Sequence, residues 1–216
     1  PPGTWSDDSA LLLCTVEALC DDAYCPERLA ALFLAWQDRG YWTPHGSVFD
    51  IGIATSTALA RLRQGVMPEE AGGAGERDNG NGALMRILPV ALRYAEAPIE
   101  DMLFMAHRMS ALTHRHPRSQ MACGLYCIMA KGLLYGLTPG EAYRFMIEQG
   151  QRCYNTAPFN REMPHFARVL AGDLASVPAD DIASSGYVVH TLEASLWCLL
   201  TTVSFEDAIL TAVNLG

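Results

Sequence analysis

The sequence predicts an all-α protein, a compact orthogonal helical bundle of about ten helices. Apolar residues recur at spacings of three and four along most of the 216 residues, which is the period of a helix buried along one face. Alternation of apolar and polar residues, which is typical of half-buried strands, is almost absent. Half of the residues are hydrophobic and only 18% are charged, as in chains that fold around a core.

Capping and breaking residues bound the first four helices. The first follows Ser6, a residue type that caps helices, with acidic residues in the first turn. The second ends before Gly40 and the third before Gly65. The fourth contains Pro89, which predicts a kink. The predicted ranges are Asp7–Cys20, Pro26–Asp38, Asp50–Arg63 and Gly82–Tyr94.

The later helices are bounded in the same way. Pro98 precedes the fifth helix, and Pro117 separates it from the sixth. Ser204 and Asp207 have the spacing of a capping-box variant and begin the last helix. The predicted ranges are Ile99–Leu112, Arg118–Tyr135, Gly140–Cys153, Pro164–Leu170, Tyr187–Thr201 and Glu206–Val213.

Two predicted loops, residues 65–82 and 174–186, are longer than a helical bundle needs. The first is rich in glycine, and the second ends in I-A-S-S-G. Long irregular loops in a compact domain bind ligands more often than not. These loops are therefore the first places to look for a binding site.

Composition limits the class of protein. We expect residues 1–216 to form a single domain, because this length buries one good core. The net charge of −9 and the absence of a Lys/Arg run argue against nucleic-acid binding. No apolar run is long enough to cross a membrane. The seven scattered cysteines predict free, mostly buried thiols, and with them a cytoplasmic protein.

Ser6, Asp7 and Asp8 admit two interpretations. They are an ordinary helix start, with Ser6 as cap and two acids at the positive end of the helix dipole. A hydroxyl and two adjacent carboxylates are also hard oxygen donors of the kind that Mg²⁺ or Mn²⁺ takes from proteins. The fragment alone favours the helix start.

The segment Asp78-Asn79-Gly80-Asn81-Gly82 is a second candidate site. Glycines allow backbone N–H groups to turn inward, and a following helix start adds partial positive charge, so a phosphate fits there. A tight turn with an asparagine cap is the simpler alternative.

Two further segments carry polar groups. His114 and His116 precede Pro117, so both can project from a loop, although two histidines alone rarely bind a transition metal. Asp50 opens a predicted helix, either as a plain N-cap or as a general acid or base.

Taken together, these segments resemble the ADP-ribosylglycohydrolase family, of the dinitrogenase-reductase-activating glycohydrolase type. The similar motifs cover essentially the whole chain and occur in the family's order. They are W-S-D-D-S, F-D-I-G, G-N-G-A-L-M-R-I-L-P, S-A-L-T-H-x-x-P, S-G-Y-V-V-x-T-L-E-A-S-L-W and F-E-D-A-I-L-T-A-V-N-L-G.

The resemblance implies an ADP-ribosylglycohydrolase-like fold that binds two divalent ions, Mg²⁺ or Mn²⁺, beneath ADP-ribose. It implies hydrolysis of the N-glycosidic bond to a mono-ADP-ribosylated protein, and the bacterial type of the motifs favours arginine as the acceptor. The resemblance implies these roles: metal ligands Ser6, Asp7 and Asp8; proton transfer at the metal site by Asp50 and Asp8; substrate binding by Asn79, Gly80, Asn81, Gly82, Met85, His114, Ser185, Gly186, Tyr187 and Val188.

The family pattern also predicts segments outside this sequence. A Gly-Asp-x-Asp-Thr stretch with further metal ligands would follow Gly216, and a helix with a glutamate near the substrate would precede Pro1. We therefore expect a chain truncated at both ends.

Two alternative functions remain for a protein of this fold: a non-catalytic ADP-ribose binder, or an immunity protein that neutralises an ADP-ribosylating toxin or transferase. A helical interaction module would leave the two long loops unexplained.

Overall fold

A computed structural model of the chain describes residues 3–20 and 24–215. Within these ranges it contains ten α-helices and no strand, which confirms the all-α prediction. The helices are α1 (Asp7–Leu19), α2 (Pro26–Arg39), α3 (Ile53–Arg63), α4 (Pro68–Ala71), α5 (Leu88–Arg93), α6 (Ile99–Ala111), α7 (Pro117–Leu134), α8 (Pro139–Cys153), α9 (Val188–Thr201) and α10 (Phe205–Leu215).

Helix α7 lies at the centre of the bundle. It packs against α5, α6, α8 and α9, and side chains on most of its turns are buried. A helix that is covered on all sides needs apolar or small residues around its whole circumference, and α7 supplies them with M-A-C-G-L and C-I-M-A. One cluster of buried apolar side chains continues from α1 to α9 through this helix. The ends of α1, α7 and α9 are thereby fixed around the loops that they meet.

Two predicted helices have different bounds in the structure. Helix α3 begins at Ile53 and has Gly52 as its N-cap, so the predicted start at Asp50 is wrong. The backbone of Asp50 has a φ of 56°, which no helical residue can adopt. The range predicted as one kinked helix divides into a 3₁₀ turn at Leu84–Arg86 and α5. Pro89 lies in the first turn of α5, where its missing N–H costs nothing, and begins a helix instead of kinking one.

The irregular segments also differ from prediction. Residues 164–170 do not form an α-helix; a 3₁₀ turn at Met163–Phe166 stands there. The loop predicted at 65–82 contains the short helix α4. The loop at 174–186 contains 3₁₀ turns at Leu174–Ser176 and Ala179–Asp181. Local periodicity does not distinguish single turns of this kind from longer helices.

Ser204 caps α10, because the Asp207 N–H donates to Ser204 Oγ at 3.0 Å; the Asp207 carboxylate accepts from the Ser204 hydroxyl at 2.7 Å instead of from its backbone N–H, so half of the predicted capping box is formed. All seven cysteines are free, but Cys20 and Cys25 are exposed. No helix within the described ranges has both the length and the apolar character required to cross a bilayer.

Candidate functional site

The glycine-rich loop and the entry to α9 are joined by backbone hydrogen bonds. Gly80 and Tyr187 form an isolated antiparallel bridge. The Asn81 N–H donates to the Gly186 carbonyl, and the Val188 N–H donates to the Asn79 carbonyl, both at 2.9 Å. The structure therefore brings together two segments that sequence analysis selected separately.

This pairing lies between two surface depressions. One, of about 390 Å³, is lined by Asn81, Ser184, Ser185, Gly186, Thr191, Ala194, Ser195, Ala212 and Leu215. The other, of about 360 Å³, is lined by Glu76, Arg77, Asn79, Gly80, Gly186 and Tyr187. Both are in the size range of small-molecule sites. Gly186 borders both, so a ligand lying across the paired segments would contact both depressions.

His114 lies directly behind the glycine loop and is 2% exposed. A Cβ atom at Gly82 would be 2.8 Å from His114 Cε1 and 3.1 Å from Thr55 Oγ1, so only glycine fits beside the ring. Burial, with a smaller contribution from the Arg86 charge, lowers the pKa of His114 to about 4. The imidazole is therefore neutral at pH 7.

The side chain of Asn79 holds the loop against α7. Its Oδ1 accepts a hydrogen bond from Ser119 Oγ at 2.9 Å, and its Nδ2 donates to the Glu76 carbonyl at 3.2 Å. Asn79 is 3% exposed. Both ends of the amide are thus engaged within the protein, so the side chain of Asn79 anchors the loop.

Arg118 forms a charge network that sequence analysis missed. Its Nε donates to Glu162 Oε2 at 2.8 Å, and its Nη2 donates to Glu76 Oε2 at 3.0 Å. His116 Nε2 is 3.6 Å from Glu76 Oε1. Glu76, His116 and Glu162 are close enough to surround a cation, but Arg118 already supplies the positive charge for both carboxylates. We therefore assign this cluster to anchoring of the loop.

Ser6 and Asp8 interact with each other at the start of α1. Ser6 is the N-cap by position, but its side chain makes no capping hydrogen bond. Its Oγ donates to Asp8 Oδ2 at 3.1 Å instead. The interpretation that the Ser6 hydroxyl caps the helix is therefore wrong, and these oxygens remain at the protein surface near the helix terminus.

Asp7, Asp8 and Asp50 form an acidic cluster. Partial burial, followed by repulsion from Asp8 and Asp50, raises the pKa of Asp7 to about 6. No Lys, Arg or His side chain within the described ranges forms an ion pair with these three acids. A cluster of hard oxygen donors that lacks a protein cation is a donor set that suits a divalent ion. Among the described residues only Glu76, His116 and Glu162 bring three possible ligand atoms within 4.8 Å of one another, so the fit of the acidic cluster to a metal rests on the chemistry of its donors.

Helix packing connects the acidic cluster to the glycine loop through intermediate residues. The 3₁₀ turn at Leu84–Arg86 packs against α1, and Thr55, two residues into α3, lies beside Gly82. Trp5 Nε1 donates to the Trp42 carbonyl at 2.9 Å, which ties the segment before Asp7 to the one that leads to Asp50. Met85, which the resemblance assigned to the ligand, is partly buried against the core.

A model of the ADP-ribosylglycohydrolase family matches residues 1–216. The chain belongs to the ADP-ribosylglycohydrolase family. The family resemblance read from the motifs is thereby confirmed.

Two similar proteins are each named ADP-ribosylarginine hydrolase Tri1. The one from Serratia proteamaculans is 30% identical over 224 residues, covering 100% of this chain and 55% of the relative. The one from Pseudomonas putida is 30% identical over 219 residues, covering 99% and 54%. An ADP-ribosyl-[dinitrogen reductase] glycohydrolase from Rhodospirillum rubrum is 28% identical over 141 residues, covering 65% and 41%. The chain spans about half the length of these curated relatives.

Proposed function

We propose that this protein hydrolyses the N-glycosidic bond between ADP-ribose and a mono-ADP-ribosylated protein, with arginine as the favoured acceptor. The observation that carries the proposal is the backbone pairing of the glycine loop with Gly186–Val188, beside a buried histidine and an acidic cluster. On this proposal the glycine loop would bind the diphosphate, the depressions beside Gly186 would take the rest of the ligand, and the acids would hold the cations. The names of the two Tri1 relatives support arginine as the linkage.

The diphosphate of ADP-ribose would lie on the loop Asn79–Gly82. Gly80 and Gly82 carry no side chain to obstruct a phosphate, and the neutral ring of His114 lies behind them. Ser185, Gly186, Tyr187 and Val188 would contact the remainder of the ligand from the α9 side. Ser185 Oγ is already oriented by His190 Nδ1 at 2.8 Å, and it accepts from the Tyr187 N–H at 3.3 Å.

Ser6, Asp7 and Asp8 would hold Mg²⁺ or Mn²⁺, with two ions in the complete site. Bound divalent cations would supply positive charge to the ribose hydroxyls and acidify a water molecule. Asp50 and Asp8 would hold and move the proton, because bond cleavage at an N-glycoside needs a carboxylate to manage it. An acidic surface also suits the cationic guanidinium of an arginine acceptor, and the whole chain carries a net charge of −9.

The proposal is tested by release of ADP-ribose from a protein that is mono-ADP-ribosylated on arginine, assayed with Mg²⁺ and with EDTA. We expect release only with Mg²⁺, and a loss of about a hundredfold or more in Asp8→Ala, because one charge-stabilising group is removed. Glu148→Ala, an exposed acid on α8, is the matched control and should retain wild-type activity.

Equal release in EDTA would contradict the role of the cations. Binding of ADP-ribose without any release would contradict hydrolysis and support the non-catalytic or toxin-neutralising alternative.

A further inference from the structure

Arg86 is a fully buried cation below the glycine loop. It lies in the 3₁₀ turn Leu84–Arg86, with 0% of its surface exposed. Its Nη2 donates to the Met109 carbonyl at 3.0 Å and to Thr113 Oγ1 at 2.7 Å. Its Nε and Nη1 have no hydrogen-bond partner among the described residues. The guanidinium is thus only partly satisfied by the fold.

The charge of Arg86 also lacks a counter-charge. None of the ion pairs within the described ranges includes Arg86, and its guanidinium lies 4.8 Å from the centre of the Phe33 ring. Burial lowers the pKa of Arg86 to about 10, so the side chain stays charged at pH 7. An unpaired buried charge is costly to the folded state. Its charge acts on His114, whose ring lies beside the glycine loop.

The hydrogen-bond chain determines the tautomer of His114. Thr113 Oγ1 is fully buried and accepts from Arg86, and it lies 2.9 Å from His114 Nδ1. Within the described residues His114 Nδ1 is the acceptor available to the Thr113 hydroxyl hydrogen. Since a buried hydroxyl must donate that hydrogen, Nδ1 accepts it and the ring proton resides on Nε2.

The Nε2 atom of His114 faces the loop. It lies 3.4 Å from the position that a Cβ atom would take at Gly80, and 3.4 Å from the corresponding position at Gly82. Among the described residues no hydrogen bond is made by Nε2. The Nε2 atom of this ring therefore lies beside the two glycines and has no protein acceptor among the described residues.

We propose that Arg86 and Thr113 are positioning residues that hold His114 in its Nε2–H tautomer, so that the ring donates to a phosphate oxygen of ADP-ribose on the loop Asn79–Gly82. This proposal rests on the proposed ADP-ribose site. The opposite tautomer would present a lone pair to the phosphate and repel it. The positive charge of Arg86 acts on His114 and favours an anion there, and the opposing effect of the Asp78 carboxylate is smaller.

The test compares Thr113→Val, which removes the hydroxyl at nearly constant shape, with Thr113→Ser, which retains it. Two properties are measured on the 216-residue chain: the His114 tautomer, by ¹⁵N NMR of labelled histidine, and the affinity for ADP-ribose, by calorimetry with Mg²⁺. We expect Nε2–H in wild type and Thr113→Ser. In Thr113→Val the tautomers should mix, and ADP-ribose affinity should fall by about fivefold or more, at unchanged Mg²⁺ affinity.

An Nδ1–H tautomer in the wild type would overturn the proposal, and so would wild-type ADP-ribose affinity in Thr113→Val. Failure of the wild type to bind ADP-ribose would contradict the proposed function instead, and the NMR spectra would still decide whether Arg86 and Thr113 set the tautomer.

Discussion

Asp50 combines an unusual backbone with a place in the acidic cluster. Its φ of 56° is one of two positive values among the non-glycine residues described, the other being that of Trp42. Such a conformation costs free energy, although aspartate tolerates it better than most residues. Its carboxylate acts electrostatically on Asp7, and Gly52 instead of Asp50 is the N-cap of α3. The strained backbone of Asp50 therefore occurs in the same cluster as the negative charges of Asp7 and Asp8.

Two histidines with lowered pKa values, the buried His114 and the half-buried His107, predict how stability depends on pH. Burial lowers the pKa of His107 and of His114 from 6.5 to about 4. Below pH 6.5 the unfolded chain binds protons that the folded chain does not, so the free energy of unfolding falls as pH drops from 6.5 towards 4. Each histidine should account for about 3 kcal/mol of this loss, since one pKa unit corresponds to about 1.4 kcal/mol.

Urea unfolding at pH 7, 5.5 and 4.5 measures this loss. His114→Gln should lose less stability on acidification than the wild type, because glutamine does not titrate. His45→Gln, at an exposed position, should follow the wild type. An identical pH dependence of unfolding in His114→Gln and wild type would contradict the burial of a neutral His114.

At the scale of elements, the glycine loop should tolerate no side chain at Gly82. Gly82→Ala places a Cβ atom 2.8 Å from His114 Cε1, so the ring or the loop must move. We expect ADP-ribose affinity to fall at least tenfold, or about 1.4 kcal/mol, measured by calorimetry. Gly140→Ala is the matched control, because a Cβ atom there meets nothing within 4 Å. Unchanged affinity in Gly82→Ala would mean that the loop is only a turn.

Periodicity and motifs predicted the long helices well, because each of them buries one face or its whole circumference over several turns. They failed at Pro89 and at residues 164–170, where single 3₁₀ turns and helix starts look alike in sequence. The motifs identified the glycine loop and the start of α9 but not their pairing, since backbone hydrogen bonds between distant segments leave no local pattern. Arg86 lies in the apolar stretch A-L-M-R-I-L and Arg118 in the polar one H-P-R-S-Q, and only the fold shows that both are buried and what surrounds them.

At the scale of the whole molecule, the candidate site depends on elements from both ends of the described chain. Helix α1 brings the first acids, and α9 brings the segment that pairs with the glycine loop. Between them the turn Leu84–Arg86 packs on both α1 and α7. Because all three elements share one core, a cation bound by the acids and the backbone of the glycine loop should contact the same ligand molecule.

The most direct test of this account is calorimetric measurement of ADP-ribose affinity with and without Mg²⁺. If the acidic cluster and the glycine loop form one site, Mg²⁺ should raise ADP-ribose affinity by about tenfold or more, and ADP-ribose should raise Mg²⁺ affinity by the same factor. Asp7→Asn should abolish this coupling and leave the fold intact. Equal ADP-ribose affinity with Mg²⁺ and with EDTA would show that the two clusters are independent and would contradict the proposed site.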